Sequence, residues 1–144
     1  MVGFCSPCGG RAVDEIVVAS GGENVYEQGG VGDVTADGLP DVVISQNSPS
    51  ALRVFPGDGA GGLGTESFLS LPGAPSPLAL FDLDADGVAD VVLTDVAAAQ
   101  VHVVRADGLG GLSATVTWPT SDVPRSIAAT GFDGDGLGDV AVGD

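Results

Sequence analysis

Across 144 residues the sequence carries twenty acidic side chains against four arginines and no lysine, a formal charge of −16, while 44% of the residues are apolar. That apolar share can build the core of one domain and argues against disorder, whereas the charge excludes a phosphate-tracking nucleic-acid surface and disfavours anionic lipid. The natural counterparts are cations. No apolar run approaches the roughly 18 residues of a membrane span, and the opening MVGFCSPCGG has neither the basic nor the apolar region of a secretion signal.

In chain order, residues 2–6 and 16–20 read as two short strands. Beside the first lie Cys5 and Cys8, a lone CxxC followed by Gly-Gly. That is a turn rather than the helix start a redox pair uses, and with His102 as the single histidine no four-ligand zinc site can be assembled without carboxylates. A short-range disulfide and two plain thiols remain the readings of the pair.

From residue 33 the chain repeats itself. The stretch DVTADGLPD (33–41) recurs as DLDADGVAD (82–90) and GFDGDGLGD (131–139), so that Asp41, Asp90 and Asp139 are each 49 residues apart. Residues 41–63 align without a gap to 90–112. Each period reads as four strands. One precedes the acidic loop (29–32, 78–81, 127–130), and one follows it as a continuous apolar run suited to burial on both faces (42–44, 91–93, 140–142). A third (51–55, 101–104) leads through a Gly-rich turn containing Asp58 or Asp107 to a fourth (65–69, 114–118), which ends at proline-bearing loops.

No segment shows the 3.6-residue periodicity of an amphipathic helix. The class is all-β, and four antiparallel strands per 49-residue repeat predict the blades of a partial β-propeller. Gly30, Ala79 and Ala128 share one phase of the first strand, where small side chains suit blades that converge on an axis. The divisions are outer strands of a preceding blade at 1–28, blade repeats at 29–77 and 78–126, and the inner half of a third at 127–144. That makes three blade equivalents, fewer than the roughly four to eight that close a ring. The chain is then a fragment of a larger propeller, or a homo-oligomer in which the final half-blade of one copy pairs with the opening half-blade of the next.

The acidic loops are spaced for calcium, a hard cation that takes six to eight oxygens: carboxylates at loop positions 1, 3, 5 and 9, a carbonyl at 7, and a glycine at 6 for the turn. The central loop fills these with Asp82, Asp84, Asp86, the carbonyl of Val88, and Asp90. The first uses Asp33, the Thr35 hydroxyl, Asp37, the carbonyl of Leu39, and Asp41; the last uses Asp133, Asp135, the carbonyl of Leu137, and Asp139, with Gly131 at position 1. Counting charged ligands ranks the affinities central, first, last. These are not EF-hands, because Ile44, Leu93 or Val142 stands where the bidentate glutamate of position 12 belongs. Ten of the twenty acids lie in the three loops, so up to three calcium ions would offset six of the sixteen net charges. Asp58 and Asp107 lack neighbouring carboxylates and read as turn residues.

The run FDLDADGVADVVLTD, followed by QVHVVRADGLGGL and PRSIAATGFDGDGLGDVAVGD, resembles tandem VCBS or FG-GAP repeats, similar to the calcium-bearing blades of integrin alpha-subunit propellers and of many secreted bacterial proteins. The resemblance covers roughly residues 29–144. It implies an extracellular or cell-surface β-propeller used for adhesion, ligand recognition or scaffolding, with calcium at the loop positions named above and a protein or glycan as ligand. Thr35 and Gly131 depart from the family pattern, and residues 1–28 match only in strand phase.

A nucleophilic enzyme needs a base beside its serine or cysteine. His102, in phase with Arg53 and inside the alternating VHV, reads as a solvent-facing strand residue instead. The expectation is a non-enzymatic module, the alternative an accessory or catalytic-body propeller segment of a secreted carbohydrate-active enzyme. Trp118, in phase with Leu69, is assigned to blade packing.

Overall fold

Glycine, proline and aspartate interrupt the chain so often that the apolar runs between them are too short for helices. Every regular element in the computed structural model, which describes residues 2–4, 16–18, 26–73, 75–108 and 111–144, is a strand. Cys5 and Cys8, and with them any reading of the CxxC, lie outside the described residues. The strands are β1 (Val2–Phe4), β2 (Ile16–Val18), β3 (Tyr26–Gly32), β4 (Asp41–Asn47), β5 (Ser50–Phe55), β6 (Ser67–Ser70), β7 (Pro75–Phe81), β8 (Asp90–Asp95), β9 (Gln100–Ala106), β10 (Leu112–Pro119), β11 (Ser126–Thr130) and β12 (Asp139–Gly143).

They form two four-stranded antiparallel meanders, β3-β4-β5-β6 and β7-β8-β9-β10, and two hairpins, β1-β2 and β11-β12. The pairing repeats with the sequence period: Gly30 faces Val43, Ala79 faces Val92 and Ala128 faces Ala141. Even the irregularities coincide, because the first strand of each meander shifts register between equivalent residues, Tyr26 and Gly29 in one, Pro75 and Leu78 in the other. For that reason β3 and β7 begin at Tyr26 and Pro75, three residues ahead of the expected starts at 29 and 78.

The first strands β3, β7 and β11 lie side by side. A Cβ built on Gly30 would come within 2.1 Å of Leu80 Cδ1, so glycine here permits the close approach of β3 to β7.

Two apolar layers separate the sheets. Val43, Leu52, Val54, Leu78, Val91, Leu93 and Val104 fill the space between the two meanders, together with Val34 and Leu71 from outside the strands. Leu83, Val92, Val101 and Val103 pack against Ile127, Ala129 and Val140 of the last hairpin. Because successive strand residues point to opposite faces, β8 sends Val91 and Leu93 into the first layer and Val92 into the second. Among the strands whose burial is described in full, this one alone is buried along its whole length; β4 alternates, and β12 is half-exposed to exposed. The expectation of two-sided burial for all three second strands therefore holds for the middle one alone, the one with a described sheet on each side.

His102 corrects a second expectation. It is 1% exposed, not solvent-facing, with Nε2 3.4 Å from Asp95 Oδ2. Its cross-strand partner is Leu93 of the inter-sheet layer, so the two share a covered face. In the first meander the equivalent pair is Arg53 and Gln46, with Arg53 Nε donating to Gln46 Oε1 and Nη1 pairing with Glu66 at 2.9 Å. Trp118, on the edge strand β10, is 53% exposed and lines a groove with Val140 and Val142, so its packing against the next sheet is partial.

Candidate metal centre

The three acidic loops join the first strand to the second in each sheet, β3 to β4, β7 to β8 and β11 to β12. One backbone shape serves all three. The glycine at position 6 has φ +81° at Gly38, +92° at Gly87 and +93° at Gly136, with open space around each, so conformation and not crowding requires it. Position 4 is left-handed as well: Ala36 and Ala85 at φ 61°, Gly134 at 77°. The strain at position 4 carried no mark in the sequence, since alanine seldom adopts that region.

In the central loop, Asp82 accepts the N–H of Asp86 on Oδ1 (3.1 Å) and of Gly87 on Oδ2 (2.8 Å), and Asp86 Oδ1 accepts the Val88 N–H at 2.8 Å. These bonds curl the loop until Asp82, Asp84 and Asp86 each present a carboxylate oxygen within 4.8 Å of the others. Among the described residues this is the group of acidic side chains able to hold a metal ion. The acids of the first loop (Asp33, Asp37, Asp41) and of the last (Asp133, Asp135, Asp139) do not converge in the same way.

The first loop repeats the bonds from Gly38 N–H to Asp33 Oδ2 and from Leu39 N–H to Asp37 Oδ1, both 2.8 Å. It adds a different sign of a missing partner. Asp33 Oδ1 and Thr35 Oγ1, at positions 1 and 3, are shielded from solvent and make no hydrogen bond, a costly state for polar atoms. In the last loop Gly131 offers no carboxylate to position 6, and Asp133 instead accepts the Asp135 N–H at 3.0 Å.

The carboxylates at position 9 have a distinct setting. Asp41 is fully buried: Oδ2 accepts the N–H groups of Val34 (2.9 Å) and Thr35 (3.0 Å), and Oδ1 that of Gly57 (3.0 Å). Asp90 accepts from Leu83 (3.3 Å) and Ala106 (3.1 Å), and Asp139 from Phe132 (2.7 Å) and Asp133 (3.3 Å). The ninth residue thus ties the loop's start to its end and, in the first two sheets, to the end of the third strand. Asp41 Oδ2 already accepts two N–H groups, so the acceptor site its carboxylate keeps is on Oδ1. Burial pushes the Asp90 carboxyl above the usual carboxylate range, helped by the Asp84 charge and opposed by the Ala106 N–H, the Arg105 guanidinium and the Leu83 N–H.

The backbone carbonyls of Leu39, Val88 and Leu137 stand at position 7 of each loop. Successive loops are also joined to one another, Ala89 N–H donating to the Asp33 carbonyl (2.8 Å) and Gly138 N–H to that of Leu83 (3.1 Å).

The donor set fits a hard divalent cation: clustered carboxylates in the central loop, orphaned oxygens in the first, and, among the described residues, no thiol or imidazole in the cluster. A bound ion would be held by positions 1, 3 and 5 and would neutralise their mutual repulsion. Comparison with known proteins bears on the same segment. The family model of the FG-GAP-like repeat matches residues 33–93, from the start of the first loop to the middle of β8. No curated protein matches the chain.

Proposed function

We propose that the chain is a set of calcium-stabilised β-propeller blades, non-enzymatic, that serves extracellular adhesion, ligand recognition or scaffolding. The observation that carries the reading is the convergence of Asp82, Asp84 and Asp86 in a loop whose backbone shape recurs at one phase in three successive sheets. Calcium suits it because the donors are all oxygens and calcium accepts six to eight of them in irregular geometry, whereas Mg²⁺ demands a near-ideal octahedron. The first strands lie side by side as the inner strands of blades do. The single histidine, buried against Asp95, has no access to a substrate, which supports a binding role over a catalytic one. Ring closure calls for further blades, from a longer chain or from other copies of this one.

Melting curves in excess EDTA and in millimolar calcium, with sedimentation velocity in both, test the proposal. A calcium-dependent rise in melting temperature supports it, and the mass separates a closed oligomer from a monomer. Identical curves would reduce the acidic loops to turns.

A further inference from the structure

We infer that Arg105 sets the calcium affinity of the central loop, its guanidinium pairing with the carboxylates at positions 3 and 9 so that this loop binds calcium more weakly than the first. The inference rests on the loops being calcium sites, and it reverses the order that counting carboxylates predicts.

Arg105 Nη1 is 2.5 Å from Asp84 Oδ2 and 3.0 Å from Asp90 Oδ2. It therefore bridges two of the acids assigned to the ion. With it in place, the four carboxylates of the central loop carry one compensating charge, which leaves the same net charge as the three carboxylates of the first. Calcium entering at Asp84 has to displace an ion pair, and Asp90, nearly buried, loses a partner at the same moment.

Among the described residues the first loop has no such competitor. The place equivalent to Arg105 is identified by its neighbour: Ala106 N–H donates to Asp90 Oδ1, and Gly57 N–H donates to Asp41 Oδ1, one period earlier. The residue before Gly57 is Pro56, without charge or donor. Calcium reaching Asp33 Oδ1 and Thr35 Oγ1 breaks no hydrogen bond of those atoms and satisfies both. Fewer charges but no competitor outweighs more charges with one.

The pair is partly exposed, which limits the effect to roughly fivefold in affinity. Calorimetric titration of the full chain with calcium chloride measures it. R105Q and R105K are placed in a background with the first loop disabled by D33N and D37N, and P56R in one with the central loop disabled by D82N and D86N. Expected are a roughly fivefold tighter central loop in R105Q, little change in R105K, and a first loop weakened by a similar factor in P56R. Should R105Q fail to fold, the P56R comparison decides alone. Binding that is unaltered in both R105Q and P56R overturns the inference while leaving the calcium sites in place. Absence of calcium binding in every protein, the parent chain included, overturns the calcium reading and the inference together.

Discussion

At the scale of single residues, the loops contain their own control experiment. Position 4 is alanine in two loops and glycine in the third, yet the backbone there is left-handed in all three. Alanine in that region costs about 1 kcal/mol relative to glycine, part of which glycine returns through its freer unfolded chain. Ala85→Gly is expected to raise stability by about 0.5 kcal/mol, and Gly87→Ala to lower it by about 1 kcal/mol or more; urea midpoints of the two variants should move in opposite directions. Asp58 provides a second check. The N–H groups of Ala60 and Gly62 hold its carboxyl below the ordinary value of 3.8. The pKa is lower folded than unfolded, so what the charge contributes is present above the unfolded value and is lost as pH falls through the lowered one. An NMR titration should place the Asp58 midpoint under 3.8. The sequence showed Asp58 as a turn residue and the loop acids by their spacing. It did not show Arg105 beside Asp84, because that contact joins the end of β9 to a loop some twenty residues earlier and depends on how a hairpin folds back.

At the scale of elements, the ninth loop residue holds more backbone than its assignment as a ligand suggested. Asp41 satisfies the N–H groups of Val34, Thr35 and Gly57 at once. Asp41→Ala strands buried donors and is expected to cost about 3 kcal/mol even in EDTA, whereas Asp37→Asn, at an exposed position, should cost little in EDTA and reduce the stabilisation that added calcium gives. Equal losses for the two variants in EDTA would refute this division between frame and ligand. Strand positions were legible because a period of 49 aligns each apolar run with its counterpart, and pairing register follows once turns and faces are set. The burial of His102 was not, since alternation within a strand says which residues share a face and is silent on what covers that face.

At the scale of the whole molecule, the middle sheet belongs to both apolar layers, and that makes it the point where damage spreads. Leu93→Ala should cost about 2–5 kcal/mol and shift the unfolding of both neighbouring sheets together, while Val142→Ala on the half-exposed last strand should cost under about 1 kcal/mol; thermal unfolding followed by hydrogen exchange separates the two. The repeat in the sequence announced alike sheets but not their unequal burial, which depends on the neighbours each has. The bonds between successive loops have a direction: the donor is always the eighth residue of the later loop, Ala89 or Gly138. In the first loop the eighth residue is Pro40, which has no N–H to give. A row of such loops consequently has a fixed polarity. A sheet stacked ahead of β3 would make its joint without that bond, a tie that both of the described joints between successive loops possess.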